Sequence, residues 1–144
     1  MQIIVNVPSP HPTPPAALET ALCEVLARFP GITLAVLFGS VAAGRARADS
    51  DLDIAVAAQR PLTVAEKIAL TQALAEKTGR PIDLIDLATV AEPLLGQIVQ
   101  HGKRILGSDT LFARLISRHL IEEADFMPYR RRVLAERRRA WIGK

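Results

Sequence analysis

A single cysteine among 144 residues, Cys23, leaves no internal disulfide to staple the chain. The fold must then be held by its core, and a lone thiol fits a reducing cytoplasm. Long apolar runs are missing too. None approaches the roughly 20 residues that cross a bilayer, so no membrane contact is expected. The start, Met1 to Val7, is short and carries no basic residue, unlike a secretory leader. Aromatics make up only 4% of the chain, and just Tyr129 and Trp141 interleave its basic end. That is too little for a stacking platform on single-stranded nucleic acid. Internal repeats are absent, and low complexity is confined to prolines near one end and arginines near the other.

What remains is apolar and unevenly charged. Apolar residues supply 49% of the chain, enough to argue against disorder over most of it. The length suits one domain with a real core. The net charge of +3 is modest, but Arg130, Arg131, Arg132, Arg137, Arg138, Arg139 and Lys144 gather at the C-terminus. Such a cluster is a solvated helix face, a nucleic-acid contact or a docking arm for an acidic partner. The scarcity of aromatics favours the first and third over RNA.

Met1 to Val7 reads as a short edge strand or an ordered arm; Pro8, Pro10, Pro12, Pro14 and Pro15 then exclude helix and central strand, so 1–13 is assigned to an extended N-terminal arm. Thr13-Pro14 suits a helix start. Leu18, Ala21, Leu22, Val25, Leu26 and Phe29 then recur with helical spacing over 14–29. Ile32 to Phe38 and Leu52 to Ala57 read as strands. The link from Ser40 to Ser50 is shorter than the dozen or so residues a parallel crossover needs. The two strands should therefore run antiparallel with a short helical turn between them. Thr63-x-x-Glu66 is a capping box for a helix reaching Thr78, ended by Gly79 and Pro81. Residues 81–87 make a third strand. Thr89-x-x-Glu92 reads as a second capping box, for a helix to His101. Lys103 to Leu106 is a short fourth strand. Ser108 and Asp109 cap a last helix with the stripe Leu111, Phe112, Leu115, Ile116, His119 and Leu120, which Pro128 should break or kink. The expected fold is α/β: a small mixed sheet with helices on one side and a C-terminal helical extension.

Chemistry concentrates in one run. Gly39-Ser40 is followed after ten residues by Asp51-Leu52-Asp53. Alternate strand residues share a face, so Asp51 and Asp53 point one way while Leu52, Ile54 and Val56 point into a core. Ala55 and Ala57 on the acid face are small. Two like charges on a half-buried face repel and lose hydration. A hard divalent cation relieves both, since it takes carboxylate and phosphate oxygens together. Gly39 lets backbone approach a phosphate, and Ser40 opens the helical turn. Asp83 and Asp86 are three apart on the third strand and cannot share a face. Asp86 lies near the strand end, where solvent or the following turn can take it.

The pattern Gly-Ser, ten residues, then Asp-x-Asp resembles the signature of the polymerase-beta nucleotidyltransferase superfamily. The run Gly44 to Asp53, G-x-A-R-x-D-S-D-L-D, is most similar to the minimal nucleotidyltransferases paired with HEPN-type toxins. The resemblance implies a nucleotidyltransferase core at 14–108 and a basic helical extension at 109–144. It implies Asp51, Asp53 and Asp83 as catalytic and metal-binding residues, Asp83 being the third carboxylate on a neighbouring strand. Gly39, Ser40 and Arg47 would bind nucleotide, with Arg45 nearby. Asp49 and Ser50 match the family run and shape the turn. Ala43 stands where family members often carry arginine, so one phosphate contact is missing. The implied cofactors are ATP and Mg²⁺ as a two-ion site. The implied activity is transfer of AMP to a hydroxyl, a tyrosine, of a HEPN toxin, with the chain as its antitoxin in the cytoplasm. The alternatives are an antitoxin that acts by binding alone and a small-molecule transferase of the aminoglycoside type. Arg114 and His119 reproduce the R-x4-H spacing of HEPN ribonucleases. That domain is all-helical, so the strand-rich pattern here argues against it.

Overall fold

The computed structural model describes residues 16–44 and 50–142, with side chains for all but 126–131 and 138–142. The N-terminal arm, the Thr13-Pro14 start, Arg45, Arg47 and Asp49 lie outside the described residues. The order is α1 (Ala16–Leu26), β1 (Ile32–Phe38), α2 (Gly39–Ala42), β2 (Leu52–Ala58), α3 (Val64–Thr78), β3 (Ile82–Asp86), α4 (Leu94–His101), β4 (Lys103–Leu106) and α5 (Asp109–Ile142).

The described strands form one sheet in the order β3-β2-β1-β4. The short link after Ser40 makes β1 and β2 antiparallel, with α2 as the helical turn between them. β4 is antiparallel to β1, whereas β3 runs parallel to β2 through the α3 crossover. α3 begins at the predicted capping box. The Thr63 hydroxyl accepts the Glu66 amide at 3.1 Å, and the Glu66 carboxylate takes the Thr63 amide at 3.4 Å. It ends at Gly79, whose φ of 68° is the left-handed turn that favours glycine.

Strand alternation divides the core into two layers. Leu52, Ile54 and Val56 of β2 meet Leu22, Val25 and Leu26 of α1 and Leu70 and Leu74 of α3. On the other face Leu34, Val36, Phe38 and Ala55 meet Leu95 and Ile98 of α4 and Leu115 of α5. Helices thus cover both faces, not one. The strongly apolar β1, with no polar side to present to water, requires that second cover. A register shift between Ile32 and Leu34 lets Ile32 join the same layer as Ala35 and Leu37.

Two expectations about helix ends do not hold. α4 starts at Leu94, not after Thr89. Glu92 precedes a proline, which disfavours helical backbone there. Glu92 instead accepts the Gly96 amide at 3.2 Å, while the Thr89 hydroxyl turns back to the Asp86 carbonyl at 3.4 Å. α5 runs without a break through Pro128. The proline removes one amide from the ladder, and the arginine, leucine and alanine residues beyond it are good helix formers. Ser108 caps its start by accepting the Leu111 amide at 3.2 Å.

Candidate active site

Asp53 is the second residue of β2, in register with Phe38 of β1 and Asp83 of β3. The parallel pairing of β2 with β3 therefore places two carboxylates side by side. Both belong to the face that carries Ala55 and Ala57. Asp51 sits one residue before β2 begins, and it is exposed, as is Asp83, whereas Asp53 is half-buried. Burial pushes the Asp53 carboxyl above its ordinary range. The Asp83 charge and a hydrogen bond with Asp83 add to this, and the Asp51 charge adds further.

Gly39 closes the site from β1. A Cβ there would lie 2.1 Å from Asp53 Oδ2 and 2.9 Å from its Cγ. Its φ of 75° is also left-handed. Glycine is thus required twice, by backbone conformation and by the carboxylate packed on it. Ser40 follows in the first turn of α2, where Phe38 at the N-cap offers no side-chain acceptor. Local amides at this turn are left for another acceptor.

Asp86 is separated from this group. It lies on the opposite face, with Oδ2 3.4 Å from Lys67 Nζ on α3 and Oδ1 accepting the Ala88 amide at 2.9 Å. Its charge is matched locally. The Arg114–His119 pair does not form a site either. His119 is buried, 4% exposed, with Nδ1 2.5 Å from Glu92 Oε1. Arg114 is exposed.

Among the described residues, no group of three or more histidine, cysteine, aspartate or glutamate side chains converges to hold a metal ion. An open set of carboxylates nevertheless fits magnesium. That ion keeps several waters and binds through one or two carboxylates plus substrate phosphates. After burial, the neighbouring carboxylates raise the Asp53 carboxyl, and a cation would relieve that repulsion.

Sequence reasoning reached the acids and Gly-Ser but missed three contacts. Arg80 Nη1 donates to the Ser50 carbonyl at 3.4 Å, beside the acids. Arg118 donates to the Leu87 and Val90 carbonyls. Glu92 pairs with His119 across 27 residues. The spacing of Glu92 and His119 gives no local sign of the last.

These strands, acids and glycine define a nucleotidyltransferase of the polymerase-beta kind. The family described as "Polymerase beta, Nucleotidyltransferase" matches residues 21–111, and the chain belongs to it. Protein adenylyltransferase MntA of Shewanella oneidensis is 38% identical over 87 residues, covering 58% of this chain and 63% of that protein. The match thus spans under two thirds of the relative's length. A crystal structure of a toxin–antitoxin with AMP-PNP is 27% identical with a TM-score of 0.75, over 82% of this chain and 96% of the matched chain. A tri-AMPylated Shewanella oneidensis HEPN toxin in complex with MNT antitoxin gives 30% identity and a TM-score of 0.63, over 81% of this chain and 96% of the matched one.

Proposed function

We propose that this protein transfers AMP from ATP, with Mg²⁺, to a tyrosine hydroxyl of a cognate HEPN toxin in the cytoplasm, and so acts as its antitoxin. The observation that carries the reading is the pairing of Asp53 with Asp83 across β2 and β3, with Gly39 packed on Asp53. The names of the relatives support the acceptor: an adenylyltransferase, and an AMPylated HEPN toxin held by its antitoxin.

Asp51, Asp53 and Asp83 would hold the ion. When bound, magnesium neutralises the triphosphate and stabilises the charge that develops as the phosphoryl group transfers. The chain's own residues do the rest. Gly39 and Ser40 present backbone amides to the phosphates, and Arg47 adds a cation. The acceptor oxygen bonds to the α-phosphorus while the bond to the bridging oxygen of pyrophosphate breaks. Asp83, exposed beside Asp53, takes the proton released by the hydroxyl. Removal of that proton is general-base catalysis from an exposed carboxylate.

The test uses α-labelled ATP, Mg²⁺ and either the HEPN protein encoded beside this chain or a panel of aminoglycosides. Label should appear covalently on the HEPN protein and vanish with EDTA. Label on the antibiotics alone would overturn the protein-acceptor reading. A tight complex without label would mean neutralisation by contact.

A further inference from the structure

Asp51 stands apart from the other two acids in how its backbone is held. Asp53 and Asp83 lie inside the ladder between β2 and β3. Asp51 precedes the strand, and the pairing at this end stops with the Leu52 amide donating to the Pro81 carbonyl at 2.9 Å. Yet its charge still reaches Asp53. An Arg80 contact spans this gap. Arg80 Nη1 donates to the carbonyl of Ser50, the residue before Asp51, at 3.4 Å. Arg80 is itself aimed by the end of α3. Gly79 turns left-handed with its amide on the Ala75 carbonyl at 2.8 Å, and the Arg80 amide donates to the Thr78 hydroxyl at 3.3 Å. Three residues further on, β3 delivers Asp83 to the site.

We infer that Arg80 is a positioning residue, which ties the approach to β2 onto the start of β3 and so keeps Asp51 with Asp53 and Asp83 as one metal-binding set. The inference rests on the metal–nucleotide reading of this site. It assigns Arg80 no contact with nucleotide. A guanidinium suits the task because it stays charged at any working pH and can hold a carbonyl.

The chemistry separates a clamp from a nucleotide ligand and from a folding residue. Binding of α,β-methylene ATP, which cannot release AMP, would be measured by calorimetry across a range of Mg²⁺ concentrations. The proteins are wild type, Arg80→Ala, Arg80→Lys, Asp51→Asn and the Arg80→Ala/Asp51→Asn double variant. Metal-free thermal unfolding would be followed in parallel. Arg80→Ala should raise the Mg²⁺ concentration for half-maximal binding by about tenfold, the loss expected for a residue supporting a metal ligand. Arg80→Lys should recover part of it. The double variant should bind as Asp51→Asn alone does, because a residue that acts through another is not additive with it. Affinity at saturating Mg²⁺ should match wild type. Unchanged Mg²⁺ dependence in Arg80→Ala, or additive losses in the double variant, overturns the inference. So does a nucleotide deficit that saturating Mg²⁺ leaves in place, which makes Arg80 a direct ligand. A large drop in unfolding temperature for both Arg80 variants makes it a folding residue and also overturns it. If wild type shows no Mg²⁺-dependent nucleotide binding, the functional reading falls and takes this inference with it.

Discussion

At the scale of single residues, Asp53 holds the conflict on which the site depends. Its carboxyl is raised above the ordinary aspartate value of 3.8, first by burial and then by Asp83 and Asp51. The folded state therefore binds that proton more tightly than the unfolded chain does. Stability from this group is greatest below the ordinary value, falls as pH rises toward the raised one, and is lost above it. Asp53→Asn removes the charge and the penalty together. The metal-free variant should unfold at a higher temperature than wild type at neutral pH, with the difference shrinking as pH falls from the raised value toward 3.8 and gone below it. AMP transfer should fall by at least about a hundredfold, as when a group that stabilises the transition state is lost. Thermal melts in EDTA and a labelling assay on the same preparations check both halves. A lower neutral-pH melting temperature would mean the acid triad does not strain the fold.

Gly39 makes the complementary case. Alanine there meets the Asp53 carboxylate and must also adopt a φ near 75°, which costs roughly 1–2 kcal/mol for a residue with a Cβ. Gly39→Ala should lower both the melting temperature and transfer. Coupling it with Asp53→Ala, which vacates the clash, should recover part of the stability but none of the activity. A glycine at this turn, proposed to approach phosphate, was legible in the sequence from its place before a helical turn. Its second job was not, because the Asp53 contact depends on the register of two strands 14 residues apart. The choice between Asp83 and Asp86 shows the same divide. Their spacing dictates opposite faces, but only the packing shows Asp86 matched by Lys67 on α3.

Among elements, α5 is the one the sequence described least well. Its apolar stripe predicted a last helix that Pro128 would break or kink. Only Leu115 and His119 of that stripe are buried, with Phe112 partly covered and Leu120 58% exposed. The first turns of α5 are locked to the body by polar contacts that no periodicity reveals. Arg104 Nη2 lies 2.6 Å from Asp109 Oδ1, and its guanidinium sits 5.3 Å from the Phe112 ring centroid. Arg118 binds two carbonyls at the end of β3 and in the following loop, and His119 pairs with Glu92. Gly96 leaves the room for that pair, since a Cβ there would come within 2.8 Å of His119 Cε1. His119→Ala strands a buried carboxylate and should destabilise the protein by roughly 3 kcal/mol. His119→Ala with Glu92→Ala should cost less than His119→Ala alone. Denaturant unfolding of the three variants gives the comparison, and a double variant worse than the single would refute the pair. Local signals sufficed where chain neighbours decide, as in the Thr63 capping box and the short β1–β2 link. They failed where a distant group competes, as Glu92 was drawn into its contact with His119.

For the whole molecule, the question is how a chain of this size would reach the protein acceptor proposed for it. The family match ends at residue 111, and α5 has 34 residues, about 50 Å of helix at the usual rise. Among the described residues, hydrogen bonds from α5 to the rest of the fold extend as far as His119. Beyond them Ile121 is 65% and Leu134 55% exposed, along a segment whose sequence carries six arginines between 130 and 139. A basic helix of this kind fits an acidic surface on a partner, while the acids proposed to be catalytic lie at the sheet. Two truncations separate the roles of α5. Ending the chain after Leu106 removes Phe112, Leu115 and His119, so the layer over Ala55 opens and the protein should not fold stably. Ending it after Asp125 spares every named contact of α5 with the body. That shorter protein should keep its melting temperature within a few degrees and bind Mg²⁺ and α,β-methylene ATP as the full chain does. Its labelling of the HEPN partner should drop by an order of magnitude or more, through a higher KM for the partner with little change in kcat, because docking energy shared by ground and transition states sets KM alone. Unchanged labelling by the Asp125 truncation would place the partner surface on the core and leave the arginines as a solvated face.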